Sequence, residues 1–563
     1  MKQYKQDNIS RKKPPAAAVS QKQRTGIKTF FFNFSMLAAA SLLFAASFPN
    51  LLIEKGLPFL AWFAYIPVFL IIQRTNFAGS VFWGALYGYS AYTLFNYWLS
   101  VFHPLAGVIV GLLFICYMGI LFPLLKLARL WFPRRAYLVQ WVLWMGYEYI
   151  RTLGFLGYSY GVSGYSQWCV LPLIQIAGLC GVWGVSALVV FPSVWLAAAL
   201  ERAGGGFKAC VHAVKTFFLK DKIPLLVWAC ALLAAFIGGA ASMQDYADAP
   251  STRIALIQHN TDPWRGGIIE YRRNFEILRR LSDEALAAEP SPGMVVWPET
   301  AFVPRIYWHE TYRGDPASMA LVKDLRNYLA AREQPFVIGN DDARKDPVKN
   351  PSQNEDFRID YNAVLLFEHG EITQTYRKLH LVPFTEHFPY KKQFPHIYKA
   401  LLNADTHFWE KGTEATVFKG PGFLFSSPIC FEDTFGYLSR TFVRQGAELI
   451  INLTNDAWSA SLPAQNQHLT MAVFRAVENR RSMARSTASG QTCAIDPNGR
   501  IIAMAPPFTE AWISVEMPIV KGLTPYTRFG DFLGQVFAIL SFGLLIIGGI
   551  LFTIKKIKTR EKR

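Results

Sequence analysis

Apolar residues fall along this chain in two regimes. Up to about residue 243, and again from 533, they form long runs nearly free of charge: 29–48, 57–72, 80–101, 104–125, 136–150, 169–199, 223–242 and 533–554. A helix needs about 20 such residues to cross the hydrocarbon of a bilayer, so the runs predict a polytopic α-helical membrane domain of about eight spans. The 57–72 and 136–150 runs are short for one crossing. The 169–199 run is longer than one and is expected to tilt or to extend past the headgroups.

Between 244 and 532 charges return and the runs shorten. RIALIQHN (253–260), GMVVWPET (293–300), FVIGN (336–340), YNAVLLF (361–367), FLFSSPICF (423–431) and AELIINLTN (447–455) read as buried strands. Amphipathic helices are predicted over 270–288, 319–333 and 468–486, and the charged stretch 341–358 reads as an exposed loop. Strand–helix alternation at this spacing indicates an α/β domain of layered sheet and helices. No sequence repeat is found.

Composition agrees with this division. Of 563 residues, 52% are hydrophobic and only 17% charged, too apolar for a wholly soluble chain. The net charge of +17 suggests nucleic acid until it is located: residues 1–28 and 555–563 together carry +12 of it. Basic tails beside apolar runs mark the cytoplasmic side and touch anionic headgroups, and no nucleic-acid partner is expected.

With the N-terminus inside, the even-numbered connections should be cytoplasmic, and they are the basic ones. They carry Arg74, then Lys126, Arg129, Arg134 and Arg135, then Arg202, Lys208, Lys215, Lys220 and Lys222. The expected order is a basic cytoplasmic tail (1–28), seven spans (29–243), an extracytoplasmic domain (244–532), an eighth span (533–554) and a second basic cytoplasmic tail (555–563). The first run is too long in its apolar part for a cleaved signal, so an uncleaved anchor is expected. Glu148 and Arg151, one turn apart, are expected to pair on one helix face near the outer interface; a functional intramembrane charge is the alternative.

Candidate chemistry sits at strand ends of the 244–532 region. Of seven cysteines only Cys430 and Cys493 fall there. A disulfide is normal outside the cytoplasm, but Cys430 ends an apolar strand in SSPICFEDTF, and Cys493 is read as core packing. Glu299 ends the strand VVWPET, where Pro298 and Trp297 limit water and suit the carboxylate to general-base work. Lys378, in YRKLHLVPFTEHFP, would favour a thiolate beside it and stabilise an oxyanion. The three would converge if their strands were neighbours in one sheet. No metal-ligand spacing is found, His380 and His387 beside Glu386 being a weak match.

WPET, then YRKLHLVPFTEHFP, then PICFED resembles the nitrilase superfamily, whose members use a Glu–Lys–Cys triad on an α-β-β-α sandwich. A nitrilase-like domain after seven spans and before an eighth resembles the family's membrane-embedded branch, the apolipoprotein N-acyltransferases. GYSQ (164–167), NDAW (455–458), QHLTMAVFRAVENRRSMARST (467–487) and GLTPYTRFGD (522–531) match that branch too. The resemblance implies Cys430 as nucleophile, Glu299 as base and Lys378 as stabiliser of the tetrahedral intermediate. It implies Glu386 as a second active-site glutamate, Glu432 as needed for activity, and Trp264 in substrate entry. Phe431 stands where the family commonly has Tyr, so a hydroxyl contact is missing there.

The implied reaction moves an acyl chain from a membrane phospholipid to the α-amino group of an S-diacylglyceryl-cysteine, through a Cys thioester and without cofactor or metal. It places the chain in a bacterial inner membrane with the catalytic domain periplasmic. The chemical rival is a membrane-bound amidase or nitrilase that passes the acyl group to water, for which eight spans are more than a tether requires. A degenerate binding domain is the non-enzymatic rival, disfavoured by the presence of all three residues.

Overall fold

The computed structural model describes residues 16–561 except 103, 202–205, 313, 347–357 and 404–407. Over half of the N-terminal basic tail, Arg202, the last two residues and most of the 341–358 stretch lie outside the described residues. Within that stretch Asp341–Lys345 continues the strand begun at Phe336, and Arg358 opens the next strand.

All eight apolar runs carry helix. Among the described residues, five helices are long and apolar enough to cross a membrane: Ile27–Ser47, Ala106–Trp131, Val182–Leu200, Lys222–Ser242 and Phe532–Arg560. Others depart from a single straight crossing. The 57–72 run is a 3-10 turn, Pro58–Trp62, followed by the nine-residue helix Ile66–Arg74. The 169–199 run is not one tilted helix but three pieces, Leu171–Ile174, Ala177–Cys180 and Val182–Leu200. The last break falls at Gly181, whose φ of 67° is open to glycine at little cost.

Among the described residues, twelve strands build the second region: β1 Ser251–Gln258, β2 Met294–Val296, β3 Phe336–Lys345, β4 Arg358–Glu368, β5 Glu371–Arg377, β6 Val417–Lys419, β7 Leu424–Ser426, β8 Leu449–Thr454, β9 Ser482–Thr487, β10 Cys493–Ile495, β11 Ile501–Met504 and β12 Ala511–Pro518. They form two six-stranded sheets, ordered β12-β1-β2-β3-β4-β5 and β11-β10-β9-β8-β7-β6. Each has a parallel centre, β1-β2-β3 or β7-β8-β9, flanked by antiparallel strands.

Alternation of side chains along each strand then sets the layers. Leu256, Val296 and Val364 of the first sheet meet Phe425, Ile451 and Ala484 of the second in one buried cluster. The other face of the first sheet, with Ile257, Val295 and Trp297, is covered by helices Ile268–Leu286 and Pro316–Ala330 through Phe275, Leu278, Leu321 and Leu325. Each such aliphatic side chain contributes about 1.5–3 kcal/mol by leaving water.

The outer face of the second sheet is covered by helix Leu462–Asn479, in which every residue from Pro463 to Asn479 is buried. Leu469, Val473 and Val477 belong to one cluster with Ile450 and Met483 of the sheet and with Trp98, Leu173 and Ile174 of the membrane bundle. That helix is therefore both the last layer of an α-β-β-α sandwich and the seam to the membrane domain. The helix predicted over 468–486 begins earlier and stops at Asn479, because Arg480 turns left-handed (φ 49°) and Ser482–Thr487 becomes β9.

Glu148 and Arg151 do not pair with each other. Both are buried. Glu148 accepts from the Ser163 hydroxyl and backbone N–H and from the Trp144 indole, while Arg151 donates to the Tyr158 carbonyl at 2.7 Å and the Tyr160 carbonyl at 3.0 Å. The two charges instead bind the glycine- and tyrosine-rich loop that follows them, which lies over the seam.

Candidate active site

Glu299 follows β2, Lys378 follows β5 and Cys430 lies four residues beyond β7. They do not share a sheet. Glu299 and Lys378 come from the first sheet, three strands apart, and Cys430 comes from the second, so it is the face-to-face packing of the sheets that brings them together.

Lys378 is fully buried and its Nζ lies 2.9 Å from Glu386 Oε1 and 3.3 Å from Glu299 Oε1. Burial alone would lower its pKa, but the carboxylates of Glu386 and Glu299 outweigh burial and hold the ammonium charged, above its ordinary range. Asn362 Nδ2 donates to the same Glu299 oxygen at 2.7 Å, and the Val382 N–H donates to Glu386 Oε2 at 2.8 Å. The Glu299 carboxylate is thus aimed by two donors from β4 and the turn after β5.

Behind it, β3 runs so close that a Cβ on Gly339 would stand 2.3 Å from the Pro298 carbonyl and 2.7 Å from Glu299 Cα. Glycine is required here by space. Thr300 (φ 45°) and Cys430 (φ 48°) both adopt the left-handed conformation that non-glycine residues rarely take. Such strain concentrates at functional sites and is held by the surroundings.

Cys430 opens a 3-10 turn, Cys430–Thr434. Its thiol is pushed up by burial and by the Glu299 charge, against a smaller pull down from Lys378. Lys378 alone would favour a thiolate; in the folded site burial and Glu299 outweigh it, and the sulfur rests as a thiol. Ionisation therefore has to accompany proton transfer to a base.

Glu432, two residues on, works as a buckle. One of its oxygens accepts from the Leu379 and His380 N–H groups at 2.7 and 2.9 Å, the other from Ile429 N–H at 2.8 Å, and the Tyr376 hydroxyl lies 2.8 Å from each. It ties the Lys378 segment to the Cys430 turn; burial raises its pKa to about 7 despite these donors. Phe431 packs edge-on against Phe435 with centroids 5.0 Å apart, and belongs to the margins of both the inter-sheet core and the membrane-bundle core.

Of the residues singled out in the sequence, Glu299, Lys378, Cys430, Glu386, Phe431 and Glu432 gather in this one place. Trp264 stands on the surface loop between β1 and helix Ile268–Leu286 with 65% of its area exposed. Cys493 is buried in β10 and unbridged. Sequence reasoning missed Asn362, whose only signal is a polar side chain inside the apolar strand YNAVLLF. It also missed the buried charges Asp433, Asp456, His468 and Arg485 beneath the Cys430 turn.

The arrangement offers a buried thiol, a hydrogen-bonded carboxylate base and a fixed ammonium, the set needed for nucleophilic acyl chemistry. Known proteins carry the same two parts. Residues 253–521 match the family model described as carbon-nitrogen hydrolase, and residues 40–195 match the apolipoprotein N-acyltransferase N-terminal domain. Apolipoprotein N-acyltransferase 1 of Treponema denticola is 45% identical over 91% of this chain and 96% of its own. That of Treponema pallidum is 46% identical over 92% and 95%, and the Geobacter metallireducens enzyme 32% over 89% and 92%. Among solved structures, Saccharomyces cerevisiae Nit3 of the nitrilase superfamily covers 49% of this chain and 93% of its own at 19% identity and a TM-score of 0.34, a likeness too slight to carry an argument. On the full-length identities and the two matched domains, the chain belongs to the apolipoprotein N-acyltransferase family.

Proposed function

We propose that this enzyme carries a fatty acyl chain from a phospholipid to the α-amino group of an S-diacylglyceryl-cysteine, with Cys430 as the acyl carrier. The observation that supports this most is where the thiol sits. The residue after it, Phe431, packs against the cluster shared by the membrane bundle and the seam helix as well as against the inter-sheet core. A thiol turn built into the seam with the membrane domain suits substrates that never leave the lipid.

In the first half-reaction Glu299 takes the Cys430 proton as the sulfur bonds to the ester carbonyl carbon. The oxyanion is stabilised by the Lys378 ammonium and by the Phe431 N–H, which lies in the first turn of its helix where no intrahelical acceptor exists. Collapse breaks the ester C–O bond. Protonated Glu299 returns its proton to the departing lysophospholipid, leaving a thioester. In the second, the acceptor amine attacks the thioester, Glu299 removes a proton from nitrogen, the C–S bond breaks and Glu299 reprotonates the thiolate. Glu386 holds Lys378, Glu432 holds the Cys430 turn, and exposed Trp264 serves the entry of substrate.

In this reading residues 1–28 and 555–563 are cytoplasmic tails, 29–243 and 533–554 span a bacterial inner membrane, and 244–532 is periplasmic. The test is transfer itself. Purified protein given acyl-labelled phospholipid and a diacylglyceryl-cysteine peptide should yield peptide labelled at its amino terminus. Label recovered only as free fatty acid would instead identify a hydrolase.

A further inference from the structure

Beneath the Cys430 turn lies a closed set of charges that the reaction does not touch. His468 projects from the seam helix Leu462–Asn479 between two carboxylates, with Nε2 2.7 Å from Asp433 Oδ1 and Nδ1 2.9 Å from Asp456 Oδ1. Arg485 of β9 bonds the remaining oxygen of Asp433 and lies 3.3 Å from that of Asp456. All four side chains are buried to within a few per cent. Asp433 belongs to the Cys430–Thr434 turn, and Asp456 to the turn Asp456–Ser459 that follows β8. Just before the thiol, Ile429 bridges to Leu453 near the end of β8, and the Leu453 N–H donates to the Pro428 carbonyl at 3.3 Å. The turn that carries the sulfur and the turn that follows β8 are therefore joined through one imidazole.

We propose that His468 is a positioning residue for Cys430, which clamps the two turns flanking the thiol and thereby holds the sulfur in its left-handed, Glu299-facing conformation. The inference rests on Cys430 being the acyl carrier. Both ring nitrogens face carboxylate oxygens, which only accept hydrogen bonds, so both must carry protons. The ring is then an imidazolium, and with Arg485 it balances the two carboxylates. Burial opposes that charge, but Asp433 and Asp456 outweigh burial and Arg485 and raise the pKa to about 9. Other titratable or charged groups near the cluster are the Tyr160 ring from the membrane-domain loop, 6.4 Å from His468, the Arg475 guanidinium of the same helix near Asp433, the Cys493 thiol beside Arg485, and the Cys430 thiol itself.

The clamp also reaches the membrane domain. Gln467, the neighbouring residue, donates to the Pro49 and Phe95 carbonyls and accepts from the Trp98 indole at 3.0 Å; Trp98 in turn packs on Trp458 of the Asp456 turn. The position of the thiol is thus referred to the membrane rim.

The folded-state pKa lies above the ordinary histidine value, so the clamp is intact at neutral pH and is lost as pH rises through about 9. The experiment uses full-length protein in detergent. Cys430 alkylation by iodoacetamide is followed by peptide mapping, and acyl-enzyme formation by an equal mixture of labelled phosphatidylethanolamine and phosphatidylglycerol. His468→Gln is expected to slow both at least about tenfold in folded protein, as a misplaced reacting group does. Wild-type acyl-enzyme formation should decline between about pH 8 and 10, a limb absent from the variant. If His468→Gln does not fold, the His468→Gln/Asp456→Asn pair removes one buried charge of each sign, and the same slowing is expected there.

A folded variant alkylated within about twofold of wild type overturns the proposal, as does a wild-type profile without the alkaline limb. Failure of wild type to form any acyl-enzyme would instead sink the acyl-carrier reading, while alkylation still judges His468.

Discussion

At Lys378 two carboxylates face one fully buried ammonium. The cation does two things at once: it stands ready for an oxyanion, and it opposes the rise that burial imposes on the pKa of Glu386. Lys378→Met should therefore abolish acyl-enzyme formation and also destabilise the fold, by about 3–5 kcal/mol, as when one partner of a buried pair is removed. Without the ammonium Glu386, whose pKa burial raises, would bind its proton more tightly in the folded state than in the unfolded one. The variant should then melt at a higher temperature at pH 5 than at pH 8, which thermal denaturation across that range checks. A melting temperature and activity near wild type would remove Lys378 from the site's electrostatics.

At the scale of elements, the site is made by the meeting of strand ends, and Gly339 shows how closely they must fit. A Cβ there would press on the backbone on both sides of Glu299. Gly339→Ala should displace the Glu299 carboxylate while leaving Lys378 and Cys430 in place, and lower the rate of acyl-enzyme formation by about 10², the usual result of misplacing a catalytic group by about 1 Å. Pre-steady-state labelling measures that rate.

Much at this scale is legible in the sequence. Glu299, Lys378 and Cys430 each end a recognisable apolar run, because strand ends are where a sheet exposes side chains. That Cys430 belongs to a second sheet is not legible, since pairing partners far apart in the chain leave no local trace. Nor is the end of the seam helix: RSMARST continues a helical composition, and only the left-handed turn at Arg480 and pairing with β8 make it a strand. The charges at Asp433, Asp456, His468 and Arg485 carry no local signal that sets them apart, His468 and Arg485 falling in a stretch of helical composition; burial at the seam is what makes them a network. Glu148 and Arg151 misled in a similar way, because helical spacing suggested a pair where a loop supplied the partners.

For the whole molecule, the seam helix Leu462–Asn479 explains why this sandwich comes with a membrane bundle. Its buried surface is shared between a sheet and the bundle, so neither domain completes its core alone. The topology argued from loop charge belongs at this scale. In a cysteine-substituted background, Lys521→Cys in the exposed loop after β12 should react with a membrane-impermeant maleimide applied to spheroplasts. Lys220→Cys, at the end of the helix Phe207–Lys220 that precedes the apolar helix Lys222–Ser242, should react only after the membrane is opened. The reverse pattern would invert the orientation.

The central claim is that Cys430 carries the acyl group. It is tested most directly by intact-mass and peptide-mapping analysis of the full-length protein after incubation with phospholipid alone. If Cys430 is the carrier, a single added acyl mass appears on the Cys430 peptide, is removed by neutral hydroxylamine and is absent from Cys430→Ala. An adduct that persists in Cys430→Ala, or that maps to another residue, would contradict it.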